Sequence, residues 1–135
     1  MSNKKEGNRF ENELCRMLSN FHIWAHNFSQ NHSGQPVDII AVKNEKAYLI
    51  EAKVCSKPYF LFSRIEDNQH YAIQQWQTCG NTECYFAIKF DDIIYMIGYT
   101  SLMIFKHAYN FKRISKEYIS KLGVTLEEWI RGVIE

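Results

Sequence analysis

Pro36-Val37-Asp38-Ile39-Ile40-Ala41-Val42 and Ala47-Tyr48-Leu49-Ile50-Glu51-Ala52-Lys53 decide the fold of this chain. Each is an apolar run of strand length, and the polar break at Asn44-Glu45 makes the pair read as a hairpin. Side chains alternate along a strand, so Glu51 and Lys53 share one face, and Asp38 on the neighbouring strand reaches it too. Two carboxylates and one ammonium then converge at the end of a hydrophobic sheet. Such a trio is costly to bury without a metal ion or a tightly bonded network. Oxygen ligands of this kind suit Mg²⁺ or Mn²⁺, and the lysine suits an anionic transition state. The plainer alternative is a surface hairpin with ordinary charges. Against it, Val37, Ile39, Ile40, Val42, Leu49 and Ile50 read as a covered core and not as an edge.

Upstream, residues 5–21 read as a helix, with Phe10, Leu14, Met17, Leu18 and Phe21 at helical spacing. Glu11 falls beside this stripe, either as a salt-bridging rim residue or as a ligand pointing inward, whereas Glu13 lies away from it. Residues 23–28 read as a first strand. Residues 29–35 are polar, contain Gly34, and form a loop that enters directly on Asp38.

Downstream of the hairpin comes a polar and aromatic connection with Pro58. Ser63-Arg64-Ile65-Glu66 has the spacing of a capping box and opens a helix that runs to about Thr78, stopped by Gly80-Asn81. Its many glutamines read mostly as a solvated face. Residues 84–90 and 93–99 are two more strands, joined by Asp91-Asp92 as a hairpin. Thr125-Leu126-Glu127-Glu128 caps a short C-terminal helix. The order is helix, three strands, helix, two strands, then helical pieces: an α/β domain with a mixed central sheet.

The 135 residues suit one domain, 1–135, with a real core. No run is long enough to span a bilayer, and the first residues lack the apolar stretch of a signal peptide, so an intracellular, cytoplasmic protein is expected. Cys15, Cys55, Cys79 and Cys84 form no Cys-x-x-Cys pair and read as reduced thiols. His22 and His26 straddle a strand-like segment, which argues against a zinc pair. Net charge is only +1, with positive residues clustered at Lys4, Lys5 and Arg9 and again at Lys106, Lys112, Arg113, Lys116 and Lys121. That balance permits nucleic-acid binding without arguing for it.

The chain resembles the PD-(D/E)XK nuclease superfamily and, within it, the Holliday-junction resolvases. The archaeal resolvases are similar at the glycine-then-acid helix, here Gly7-Asn8-Arg9-Phe10-Glu11-Asn12-Glu13-Leu14, at Pro36-Val37-Asp38-Ile39-Ile40-Ala41, and at Glu51-Ala52-Lys53. The bacterial RecU resolvases show Glu-Ala-Lys and then an Ile-x-x-x-Gln element, here Ile65-Glu66-Asp67-Asn68-Gln69. Phe86-Ala87-Ile88-Lys89-Phe90 and Gly123-Val124-Thr125-Leu126-Glu127 also look similar to resolvase segments. The chain is less basic than a typical junction binder, is shorter than most RecU proteins and lacks their stalk, which suggests a minimal form of phage or plasmid origin.

The resemblance implies a restriction-endonuclease-like fold and a metal-dependent endonuclease that resolves four-way DNA. It assigns Mg²⁺ (Mn²⁺ as substitute) to Asp38, Glu51 and the main-chain carbonyl of Ala52. Lys53 would orient the attacking water or offset charge on the phosphate. Glu11 would contribute directly or through water, and Gln69 would hold Lys53 or that water. The alternative for Glu11 is a plain helix charge, and for Gln69 a helix-surface residue. Lys4, Lys5 and Arg9 would meet DNA. Ser33 would help position the backbone phosphate, or else is a plain loop serine. Paired cuts in a two-fold symmetric junction imply a homodimer, with Tyr95, Ile97 and Tyr99 as its interface or, alternatively, as sheet core under a helix. Two other functions stay open: a same-fold endonuclease of Mrr type acting on duplex or flapped DNA, and a non-catalytic DNA-binding module.

Overall fold

The computed structural model describes residues 3–28 and 37–135, with side chains from residue 5 onward. Helix α1 (Asn3–Ser19) leads into β1 (Trp24–Asn27), β2 (Ile39–Lys43), β3 (Lys46–Cys55) and the short β4 (Tyr59–Leu61). A 3₁₀ turn over Phe62–Arg64 precedes α2 (Asp67–Thr78), β5 (Cys84–Phe90) and β6 (Ile93–Gly98). The chain closes with α3 (Tyr99–Tyr109), β7 (Arg113–Ser115), α4 (Lys116–Leu122), β8 (Val124–Thr125) and α5 (Leu126–Ile134).

Six strands form one sheet in the order β1-β2-β3-β5-β6-β8, and β4 pairs with β7 in a separate ribbon. Among the described strands of the sheet only β3 and β5 run parallel and the other pairings are antiparallel, so the sheet is mixed, as expected. A parallel pair needs a long crossover, and β4 with α2 supplies it. The two hairpins close on residues with positive φ: Asn44 at 52° and Glu45 at 68°, and Asp91 at 51°. Asn and Asp tolerate that region because their short side chains bond locally.

Both sheet faces are covered. Phe10, Leu14 and Leu18 of α1 pack with Leu126, Trp129 and Ile130 of α5 against Ile39, Ala41, Ile50 and Ala52. On the other face, Ile73, Leu102, Phe105 and Ile119 pack against Leu49, Phe86, Ile88 and Ile97. Gly123 seals one seam: a Cβ there would lie 2.5 Å from the Met96 carbonyl oxygen.

Three expectations need correction. Helix α1 stops at Ser19, before Phe21, which is 48% exposed; Ile23 takes the inward place after a turn in which His22 has φ 59°. The cap of α2 lies one turn later than the Ser63 pattern indicates. Glu66 is the N-cap, and its side chain and that of Gln69 form the reciprocal box. Strand β6 ends at Gly98, and Tyr99 opens α3. Of the two readings of Tyr95, Ile97 and Tyr99, core is the one the structure supports: Ile97 and Tyr99 are buried and Tyr95 packs against the same core. All four cysteines are free.

Candidate active site

Strand β3 outruns its neighbour. Strand β2 starts at Ile39, opposite Ile50, while β3 continues to Cys55 with only β5 beside it. The result is a notch in the sheet where the second half of β3 presents a free edge. Asp38 stands at the mouth of that notch, and its main-chain carbonyl accepts from Phe28 N at 2.8 Å, which ties the strand start to the end of β1. Its side chain continues the ladder: Ala52 N donates to Asp38 Oδ2 at 2.9 Å. In an extended strand the N–H and C=O of one residue point to the same side, so the Ala52 carbonyl also faces Asp38.

Further along the edge, Arg64 Nη1 donates to the Val54 carbonyl at 2.9 Å and to Cys55 Sγ at 3.4 Å. A carboxylate and a guanidinium thus take the place of the missing strand, satisfying backbone groups that would otherwise go unpaired. The cleft at this edge encloses about 580 Å³ and is lined by Glu11, Asp38, Glu51, Ala52, Lys53 and Gln69, among others.

Glu51 lies at its centre. It is 3% exposed, and its Oε1 accepts from Gln69 Nε2 at 2.6 Å and pairs with Lys53 Nζ at 3.6 Å. Its Oε2 is buried with no hydrogen-bond partner among the described residues. Burial first, and then the facing Asp38 carboxylate, hold the Glu51 carboxyl well above the usual range; Lys53 opposes the shift. An orphaned buried carboxylate oxygen opposite a second carboxylate is a place for positive charge. The residues therefore fit a divalent cation. Among the described residues no group of three acidic, histidine or cysteine side chains forms a ready-made shell.

Lys53 Nζ is fixed by three acceptors: Arg64 O at 3.0 Å, Gln69 Oε1 at 3.5 Å and Glu51. Gln69 bridges both charges while its Oε1 also accepts from Glu66 N at 2.9 Å, so the start of α2 and the site share one side chain. Gln69 therefore holds Glu51 most closely and Lys53 secondarily. Glu11 is 7% exposed and turns inward from α1 to the cleft. Its charge and that of Asp38 both act on Cys15, whose thiol is pushed up to about 11, mainly by burial.

The other sequence candidates fall differently. Lys5 and Arg9 are exposed on α1, and Arg9 lines a hollow of about 300 Å³ that shares Glu6, Val54, Cys55 and Ser56 with the main cleft. Lys4 is in α1, but its side chain lies outside the described residues, and Ser33 lies wholly outside them. Sequence reasoning missed Arg64 and Lys57, which both line the cleft. Arg64 was visible as a cation between two capping residues, but only the notch gives it a role.

A mixed sheet with an aspartate at a strand start and an acid-x-lysine on the strand that outruns it defines a nuclease of the PD-(D/E)XK type. The family model of the archaeal Holliday junction resolvase (Hjc) matches residues 2–135, and the chain belongs to that family. It is a Holliday junction resolvase; the duplex- or flap-cutting and non-catalytic alternatives are not favoured. The fold is similar to that of Archaeoglobus fulgidus Hjc, described as a Holliday junction resolvase from an archaeal hyperthermophile, with a TM-score of 0.67 at 20% identity over 92% of this chain and 97% of that one. The two chains are thus of comparable length, and shortness does not mark this one as a phage or plasmid form. No match is found among curated proteins.

Proposed function

We propose that this cleft hydrolyses phosphodiester bonds of four-way DNA with a divalent cation held by Asp38, Glu51 and the Ala52 carbonyl, Mg²⁺ by preference and Mn²⁺ as substitute. The observation that carries this is the buried Glu51 carboxyl beside Asp38, whose Oε2 has no hydrogen-bond partner among the described residues. When bound, the cation supplies the positive charge that acidifies an attacking water and polarises the phosphate. The chain's own residues do the rest. Gln69 and Lys53 fix the Glu51 carboxylate, and the Ala52 N–H fixes that of Asp38. Lys53, held on three acceptors, presents its ammonium toward charge developing on the phosphoryl oxygens. Glu11 adds a third carboxylate to the cleft, directly or through water.

In this reading residues 1–135 form one nuclease domain that works inside the cell, where its DNA is. No helix among the described residues is long and apolar enough to cross a membrane. The enzyme acts as a homodimer, because two-fold symmetric DNA needs two cuts and each chain carries one cleft. Sedimentation in the presence of junction should find two copies; monomer alone at micromolar concentration would count against the dimer.

The test of the site is Asp38→Asn. An amide is nearly isosteric, and its oxygen can still accept from Ala52 N, so fold and junction binding should persist. Cleavage of labelled junction in Mg²⁺ should be lost. Wild-type cleavage by this variant would remove Asp38 from the metal site.

A further inference from the structure

Besides the hollow bearing Arg9, another adjoins the cleft at Tyr59. Pro58, Tyr59, Phe105, Phe111, Arg113 and Tyr118 line about 250 Å³, and Tyr59 lines the cleft as well. One ring therefore stands between the two. Strand β4 puts Tyr59 opposite Ser115 of β7, which brings the start of α4 alongside. Phe105 forms the floor and is 5% exposed. Around it stand Tyr109, Phe111 and Tyr118, with ring centroids 5.1, 5.7 and 5.2 Å away. These three outer rings are half or more exposed. A patch of large rings left in water marks a binding surface more often than an accident of packing.

The charge around the rings identifies the partner. Between Phe105 and Leu122 the chain carries Lys106, Lys112, Arg113, Lys116 and Lys121 against a single acid, Glu117. That acid is already paired with Lys121 at 3.3 Å. The Arg113 guanidinium lies 4.4 Å from the centroid of the Tyr59 ring. A face that met another apolar surface would have no use for this excess of cations. Rings interleaved with cations fit nucleic acid: π-faces take bases, and ammonium and guanidinium groups take phosphates.

In a continuous duplex every base is stacked on both sides. At a four-way branch whose arms are not stacked on one another, the last pair of an arm has no neighbour on one side, and its base face is available. We propose that this hollow is a stacking shelf for a base at the branch point, with the adjoining phosphates on Lys112 and Arg113. The shelf would give the protein a means of telling a junction from a duplex by a base face that a continuous duplex does not offer. This inference rests on the resolvase reading and adds the contact that selects the substrate.

The variants are Phe111→Leu with Tyr118→Leu, which keep apolar contact with Phe105 and remove two ring faces, and separately Arg113→Gln, which leaves the rings intact. The probes are a four-way junction carrying 2-aminopurine beside the branch and a duplex of one arm's sequence. Wild-type protein should change the fluorescence at the branch. The double variant should lose that change and bind the junction about tenfold more weakly, with duplex affinity within about twofold of wild type. Arg113→Gln should flatten the salt dependence of junction binding. Equal losses on junction and duplex, or no loss on either, would overturn the shelf. So would a variant that sediments as monomer where wild type is a dimer, since the patch would then join two copies. Failure of the wild type to cut the junction would instead overturn the resolvase reading, independently of the shelf.

Discussion

Glu51 shows how a single residue is held in an unfavourable state for use. Its Oε1 is doubly bound, by Gln69 and Lys53, while its Oε2 is buried with no hydrogen-bond partner among the described residues. A buried group left unsatisfied destabilises a fold by about 1–3 kcal/mol. Glu51→Gln removes the charge, keeps an oxygen for Gln69 and gives Asp38 a donor. The metal-free variant should therefore be more stable than wild type, on the order of 1 kcal/mol, or roughly 2–5 °C in Tm. Wild type should gain Tm when Mn²⁺ is added, by linkage, and the variant should not. Calorimetry with and without Mn²⁺ measures both effects. A variant that melts below wild type, or still responds to Mn²⁺, would show that Glu51 is not the strained ligand described.

At the scale of elements, the site depends on a mismatch of strand lengths and on one helix start. Strand β3 passes the end of β2, and the freed edge is taken by Asp38 and Arg64. Helix α2 begins where Glu66 and Gln69 close their box, and that box aims Gln69 at Glu51. Gln69→Ala loses a cap bond and a carboxylate bond together. It should cost about 1–2 kcal/mol in denaturant unfolding and also lower kcat by about tenfold or more. A variant that loses stability but keeps full kcat would reduce Gln69 to a helix cap.

Across the whole molecule, the DNA must reach a cleft flanked on one side by α1 and on the other by the β4–β7 ribbon. The hollow bearing Arg9 runs on from the cleft along α1, which makes Lys4, Lys5 and Arg9 the proposed path for an arm. Each phosphate neutralised there releases counterions, with a slope of roughly 0.9 in log K against log salt. The triple change Lys4→Ala, Lys5→Ala, Arg9→Ala should weaken junction binding and flatten that slope by about 2 to 3. The bonds that are cut should stay the same. An unchanged slope in a salt titration would take this segment off the path and leave the second basic cluster, around Lys106, Lys112 and Arg113, to carry it.

Much of the site was legible because strand alternation and hairpin pairing are local. Two-residue spacing put Glu51 and Lys53 on one face, the hairpin brought Asp38 opposite, and the helical stripe set Glu11 at its inner edge. By itself the sequence thus determined the order of the longer elements, the mixed sheet and the convergence of the charged trio. Tertiary structure decided what no local period encodes. Strands β4, β7 and β8 have only three, three and two residues, too few to show alternation. Whether Tyr95, Ile97 and Tyr99 met solvent or core depended on α3 and α4 folding back over β6. The bond from Gln69 to Glu51, the cover Arg64 gives to the edge of β3, and the joining of two hollows at Tyr59 all come from residues distant in sequence. Such contacts follow from how layers pack, because the entropy of closing those loops is overcome only when the whole core is buried.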